Sequence, residues 1–218
     1  MKTNILYKLG IAALLAALLM LTGCKDSFLE VEPGKKMTLT EYFSTDEHIY
    51  EAVAATYHPM RLFDWNGATY NPINICSEVM TDNFWAGGAD LNDYTYWHYM
   101  EDFKADPLHT LDGIWKQCYL GVKNANDVLS YVETGKDKIT AEHQKLYTEE
   151  AMVLRAFYYC QLWKFYGYIP VYMKNLTSPY TCEQSAPDAA YDAIITSLEE
   201  AIAIGALPMQ WDDANLGR

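Results

Sequence analysis

"EEAMVLRAFYYCQLWKFYGYIPVY", residues 149–172, decides how the rest of the chain is read. With Leu146 just upstream, its Ala151, Leu154, Tyr158, Leu162 and Phe165 recur at helical spacing and mark one apolar face. Thr140 supplies an N-cap before it, and Gly167 with Pro170 stops it. A second long helix is predicted upstream, where Leu111, Trp115, Cys118, Val122, Ala125, Leu129 and Val132 alternate at steps of four and three. Asp106-Pro107 reads as its N-cap and first helical residue, and Gly135 as its end. The short link from Val132 to Thr140 makes the two helices antiparallel neighbours. A third helix is expected from about Pro187 to Ile204, with Tyr191, Ile194, Ile195, Leu198, Ala201 and Ile202 on its stripe and Gly205 at its end.

The fold class is therefore mainly all-α, built from tetratricopeptide-like helix pairs, although no clean 34-residue self-match is present. Toward the N-terminus, Ser44 and Glu47 form a capping-box pair. The helix they open places Ile49, Ala52, Val53 and Thr56 on one side and stops near His58, because Pro59 disfavours helical geometry before it. Residues 60–105 hold no lasting period. They read as a long structured excursion with short strands, too aromatic to be disordered.

The first residues belong to another kind of sequence. Lys2 and Lys8 precede an apolar or small run from Leu9 to Leu21, with no acid up to Gly23. That is a secretory signal pattern, and 13 residues are too few to span a bilayer as a helix. Leu21-Thr22-Gly23-Cys24 resembles the lipobox of bacterial lipoproteins, which implies cleavage before Cys24 and acylation of that cysteine. Several acyl chains give stable membrane anchoring. The expected organisation is a signal peptide at 1–23, a lipidated N-terminus and tether at 24–43, and a helical domain at 44–218 that contains the 60–105 excursion. Asp26, Glu30 and Glu32 resemble the surface-export signals of Bacteroidota lipoproteins.

Composition excludes some partners. The formal charge of −13 becomes −15 once residues 1–23 and their two lysines are gone. Such an acidic surface does not suit nucleic acid, nor a polybasic grip on anionic lipid. Beyond Cys24, the cysteines Cys76, Cys118, Cys160 and Cys182 contain no C-x-x-C pair, against a zinc site or redox dithiol. An exported chain permits disulfides. The positions of Cys118 and Cys160 on apolar stripes favour unpaired core cysteines over bridges.

Four stretches in this order resemble one family. "CKDSFLEVEP" (24–33), "SEVMTDN" (77–83), "IWKQCYLGVKNANDVL" (114–129) and "EEAMVLRAFYYCQLWKFYGYIPVY" (149–172) are similar to the SusD/RagB surface glycan-binding lipoproteins of Bacteroidota. The resemblance runs along the whole chain. It implies a non-enzymatic protein at the outer-membrane surface that captures oligosaccharide or polysaccharide. It also implies delivery to a SusC-like TonB-dependent transporter. In that family "GR", here at the end of "ANLGR" (214–218), leads into a further helical pair, so the chain looks truncated at its C-terminus.

The residues suit that chemistry. Sugar faces stack on aromatic rings while polar side chains fix the hydroxyls. Ten aromatics lie between Phe63 and Phe103, including three of the six tryptophans. The candidate binding residues are Trp65, Asp82, Asn83, Trp85, Tyr94, Tyr96 and Trp97, with Tyr99, Asp90, Asn92 and Asp93 close in sequence. If Tyr94–Trp97 is extended, alternation turns some of these rings inward.

Catalysis has little support: there is no G-x-S-x-G, H-E-x-x-H or P-loop, and no cofactor is implied. Acids are so common that a pair such as Asp82 and Asp93 arises by chance. "DLND" (90–93) lacks a full calcium-loop pattern. The histidines 48, 58, 98, 109 and 143 lack ligand spacing and read as surface or capping residues. Arg155 reads as a packing or ion-pair residue. The rival readings are a helical-repeat scaffold that binds peptides or proteins at the outer membrane, and a gene fragment with no function of its own.

Overall fold

Two long amphipathic helices pair because each buries one stripe against the other. The computed structural model describes residues 37–63, 73–110 and 112–210. The residues from Leu39 onward belong to one compact unit. Its helices are α1 (Leu39–Tyr42), α2 (Asp46–Tyr57), α3 (Ile73–Glu78), α4 (Thr95–Glu101), α5 (Asp112–Gly135), α6 (Ala141–Tyr166) and α7 (Pro187–Ile204). A 3-10 turn, His58–Phe63, continues α2, and another, Lys136–Lys138, links α5 to α6. The only sheet among the described residues is a two-stranded antiparallel pair, β1 (Ile169–Pro170) with β2 (Gln184–Ser185). This is the mainly helical, tetratricopeptide-like architecture expected from residues 106–205.

The α5–α6 hairpin is the frame. Asn126 meets Arg155, Gly121 lies against Tyr158, and Trp115 meets Tyr166, so the two helices run antiparallel. Gly121 is required by this contact, because a Cβ there would lie 2.3 Å from the Tyr158 ring. At one end Val128, Val132, Tyr147 and Ala151 close over Ile49, Ala52 and Val53 of α2. At the other end Cys118, Val122, Tyr158 and Leu162 pack with Cys76, Val79 and Met100 from the excursion and with Ala190 and Ile194 from α7. Each valine, leucine or isoleucine among them contributes about 1.5–3 kcal/mol when fully buried. The four cysteines from Cys76 to Cys182 are unpaired, and burial pushes the Cys76 and Cys118 thiols up to about 12.

Helix ends follow local chemistry, with two corrections, at the start of α2 and the start of α5. Thr140 caps α6, accepting from the His143 amide at 3.1 Å, and Gly205 closes α7 in the left-handed region at φ 62°. The cap of α2, however, is Thr45, which accepts from the His48 amide, while the Ser44 hydroxyl donates to the Glu41 carbonyl. Helix α5 starts at Asp112. Asp106-Pro107 instead forms a turn in which the Asp106 carboxylate accepts from the Leu108 and His109 amides at 2.8 Å each. Gly135 does end α5, but at φ −95°; its small size matters because a Cβ would meet Ile49 Cδ1 at 3.0 Å. The α7 stripe is rotated from the expected one, with Tyr191 and Ile202 exposed and Ser197 buried.

Residues 39–43, expected to be tether, are folded: Tyr42 stacks on His48 at 3.9 Å and Phe43 on Tyr131 at 4.3 Å. Arg155 is buried and forms no ion pair among the described residues. Its Nη1 donates to Asn126 Oδ1 at 2.8 Å and to the Met173 carbonyl at 3.1 Å, tying the segment after β1 to the hairpin. Burial lowers the guanidinium's proton affinity, with Tyr159 and Glu200 opposing. Glu149, also buried, accepts from the Ala206 and Leu207 amides just past α7. No helix among the described residues is long and apolar enough to cross a membrane.

Candidate functional site

The excursion is held down at two points and exposed between them. One anchor is α3 with its following turn, where Cys76 and Val79 are fully buried. The other is α4, which sinks Trp97, His98 and Met100 into the molecule. Short strands were expected here; the described residues of 73–105 form two short helices and turns instead. Tyr94–Trp97 is therefore not extended, and the inward turn of Trp97 follows helical and not strand geometry. His98 likewise is buried, unlike the surface role expected for it, and its Nδ1 lies 3.7 Å from Glu101.

Between the anchors, Asp82, Asn83, Phe84 and Trp85 are exposed, Trp85 by 72%. Leaving a tryptophan face in water forgoes most of its burial energy, so such a ring is informative when polar groups flank it. The chain then reverses through Gly87 (φ 74°) and Gly88 (φ 91°), conformations glycine adopts without a Cβ clash. The turn closes on its own carboxylates: Asp93 accepts from the Ala89 amide at 3.0 Å, and Asp90 from the Asn92 amide at 2.7 Å. No group of three or more His, Cys, Asp or Glu among the described residues is arranged to hold a metal.

Tyr94 enters α4 in the left-handed region at φ 61° and sets its ring edge-on to Trp97, 4.7 Å away. A tyrosine costs about 1–2 kcal/mol in that conformation. The next ring, Tyr96, is 44% exposed. Tyr99 stacks on the His109 imidazole at 4.2 Å and 11°. That imidazole is fixed by Asp106, whose oxygens lie 2.9 and 3.0 Å from Nδ1. His109 holds the Asp106 carboxyl below the usual carboxylate range, helped by the Leu108 and His109 amides. Tyr96 stands 6.3 Å from the same imidazole, so Tyr96, His109 and Tyr99 form one ring cluster. Phe103, at φ 54° and 75% exposed, adds another open ring.

Of the candidate residues, Asp82, Asn83, Trp85 and Tyr96 are open to solvent, and Tyr94 is half-buried. Trp97 faces inward and supports Tyr94 instead of presenting a face of its own. Trp65, like Cys24, lies outside the described residues. Sequence reasoning missed His109 and Phe103. The signal for His109 was the D-P-L-H spacing, in which an aspartate three residues ahead holds the ring.

Residues 27–216 match the SusD-like family model described as starch-binding and associating with the outer membrane. The chain belongs to that family. It is similar to surface glycan-binding protein A from Bacteroides uniformis, at 41% identity and a TM-score of 0.74, over 80% of this chain and 38% of that one. It is also similar to surface glycan-binding protein A from Bacteroides thetaiotaomicron solved in complex with laminarihexaose, at 42% identity and a TM-score of 0.72, over 80% of this chain and 36% of that one. The chain thus spans little more than a third of these relatives. No curated protein matches it.

Proposed function

We propose that this chain is the glycan-capturing, N-terminal part of a cell-surface lipoprotein, and that laminarin-type oligosaccharides are its ligands. The observation that carries the reading is the exposed aromatic set of the excursion. Trp85, close in sequence to Asp82 and Asn83, and Tyr96 on α4 keep open faces, on a region fastened by two buried anchors. Flat apolar faces flanked by amides and carboxylates match a pyranose, whose faces are apolar and whose rim is hydroxylated. The 42% identity to a relative solved with laminarihexaose supports the choice of glycan.

The protein binds and does not cleave. It is anchored by lipid at Cys24, faces outward from the outer membrane, and passes its glycan to a TonB-dependent transporter of the SusC type. Affinity electrophoresis tests the binding step. Purified protein from residue 24 onward is expected to be retarded in a gel containing laminarin and not in a blank gel. Retardation lost in a Trp85→Ala/Tyr96→Ala double variant supports the platform, and unchanged retardation in that variant refutes it. Mass spectrometry of the membrane-extracted protein tests the anchor, with acyl chains expected on Cys24 and release into the soluble fraction on Cys24→Ala.

A further inference from the structure

Helices α6 and α3, with Met80 just past α3, line a cleft of about 490 Å³. That size lies within the range of small-ligand sites, roughly 300–1,000 Å³. Phe157, Gln161, Lys164 and Phe165 reach it from one face of α6, at helical spacing, and Asn74 and Ser77 from one face of α3. Two features set it apart. Gln161 is 8% exposed, yet its side-chain amide makes no hydrogen bond among the described residues, although it lines the cleft. With no protein partner, that amide can meet a ligand hydroxyl in place of water. Among the described residues Lys164 is the one charged residue lining the cleft, and it forms no ion pair with any of them. Among the described residues no aspartate or glutamate lines it, in a chain of formal charge −13.

We propose that this cleft binds a carboxylated sugar unit, a hexuronate, separately from the exposed aromatic platform. The phenylalanine rings supply an apolar wall for the pyranose ring. The Gln161 and Asn74 amides and the Ser77 hydroxyl meet its hydroxyls. Lys164 pairs with its carboxylate, and no acidic residue of the described lining opposes that pairing. The choice of a sugar rests on the glycan-binding reading above; the choice of a charged one rests on Lys164 alone.

The test is a titration of the isotope-labelled protein with sodium glucuronate, and separately with glucose at matched sodium chloride, following the Gln161 side-chain amide by NMR. Glucuronate is expected to shift that resonance saturably and glucose to shift it far less. Lys164 is exposed, so Lys164→Gln is tolerated by the fold. It is expected to weaken glucuronate binding about tenfold, as for loss of a charge-assisted contact. Lys164→Arg retains most of it. Retardation by laminarin in Lys164→Gln stays at the wild-type level. No saturable shift with glucuronate, an equal response to glucose, or an unchanged affinity in Lys164→Gln would overturn the uronate site while leaving the laminarin reading standing.

Discussion

The aromatic rings of the α5–α6 hairpin and those of the excursion are the same residue types with opposite fates. In the hairpin, three phenols are spoken for: Tyr119 donates to the Pro170 carbonyl at 2.8 Å, Tyr158 to the Thr56 carbonyl at 2.6 Å, and Tyr159 to the Tyr172 carbonyl at 2.7 Å. These rings staple loops and neighbouring helices to the frame, and burial raises the phenol pKa of all three. In the excursion, Trp85 and Phe103 keep most of their surface in water. The difference teaches that aromatic content does not mark a binding site here. A ring with a buried backbone partner is scaffold, and a ring left open on an anchored turn is available for ligand.

The largest expected effect lies in the frame. Gly121→Ala places a methyl group inside the Tyr158 ring's volume and forces the hairpin apart. A loss of about 3 kcal/mol is expected, at the high end for overpacking. Thermal denaturation checks it, and a melting temperature unchanged from wild type would show that the hairpin packs more loosely than described. Next is Tyr158→Phe, which leaves the buried Thr56 carbonyl without its donor. A loss of about 1–2 kcal/mol in chemical denaturation is expected.

Alkaline pH separates the two regions in another way. Burial raises the pKa of Tyr119, Tyr158, Tyr159 and Tyr166 above the unfolded value of about 10. The unfolded chain therefore gives up these protons first. The stability they contribute is complete below about pH 10 and is lost as pH rises beyond it. Denaturation midpoints measured across that range should fall with pH, and less steeply in Tyr158→Phe. A smaller effect is expected from His109→Ala. It removes the support beneath Tyr99 and the neighbour of Tyr96, so laminarin retardation should drop several-fold while stability stays within about 0.5 kcal/mol.

The frame was legible because its signals are local and repeated. The stripe from Leu146 to Phe165, the Thr140 cap, and Pro187 with Gly205 at the two ends of α7 each act within one or two turns of helix. Asp106 shows where that legibility ends. An aspartate before proline suits a helix N-cap, but the same carboxylate satisfies a turn and a histidine, and only the tertiary position of α4 decides between them. The excursion was illegible for the same reason. Its anchors are single residues such as Val79, Trp97 and Met100, on or just past helices too short to show a period. The type of residue in the candidate site could be read from the sequence, but which face each ring presents could not. Trp97, chosen with Trp85 on composition, is the example: a left-handed Tyr94 and one turn of helix place it inside.

The claim that open rings bind and satisfied rings hold the fold is tested most directly by calorimetric titration of laminarihexaose into wild type, Trp85→Ala and Tyr158→Phe, each with its melting temperature. Trp85→Ala is expected to lose at least tenfold in affinity with no change in melting temperature, given about 1–3 kcal/mol for a stacked ring. Tyr158→Phe is expected to lose stability and keep its affinity. The opposite pattern, with affinity retained in Trp85→Ala and lost in Tyr158→Phe, would place the ligand on the hairpin and contradict the division between the two regions.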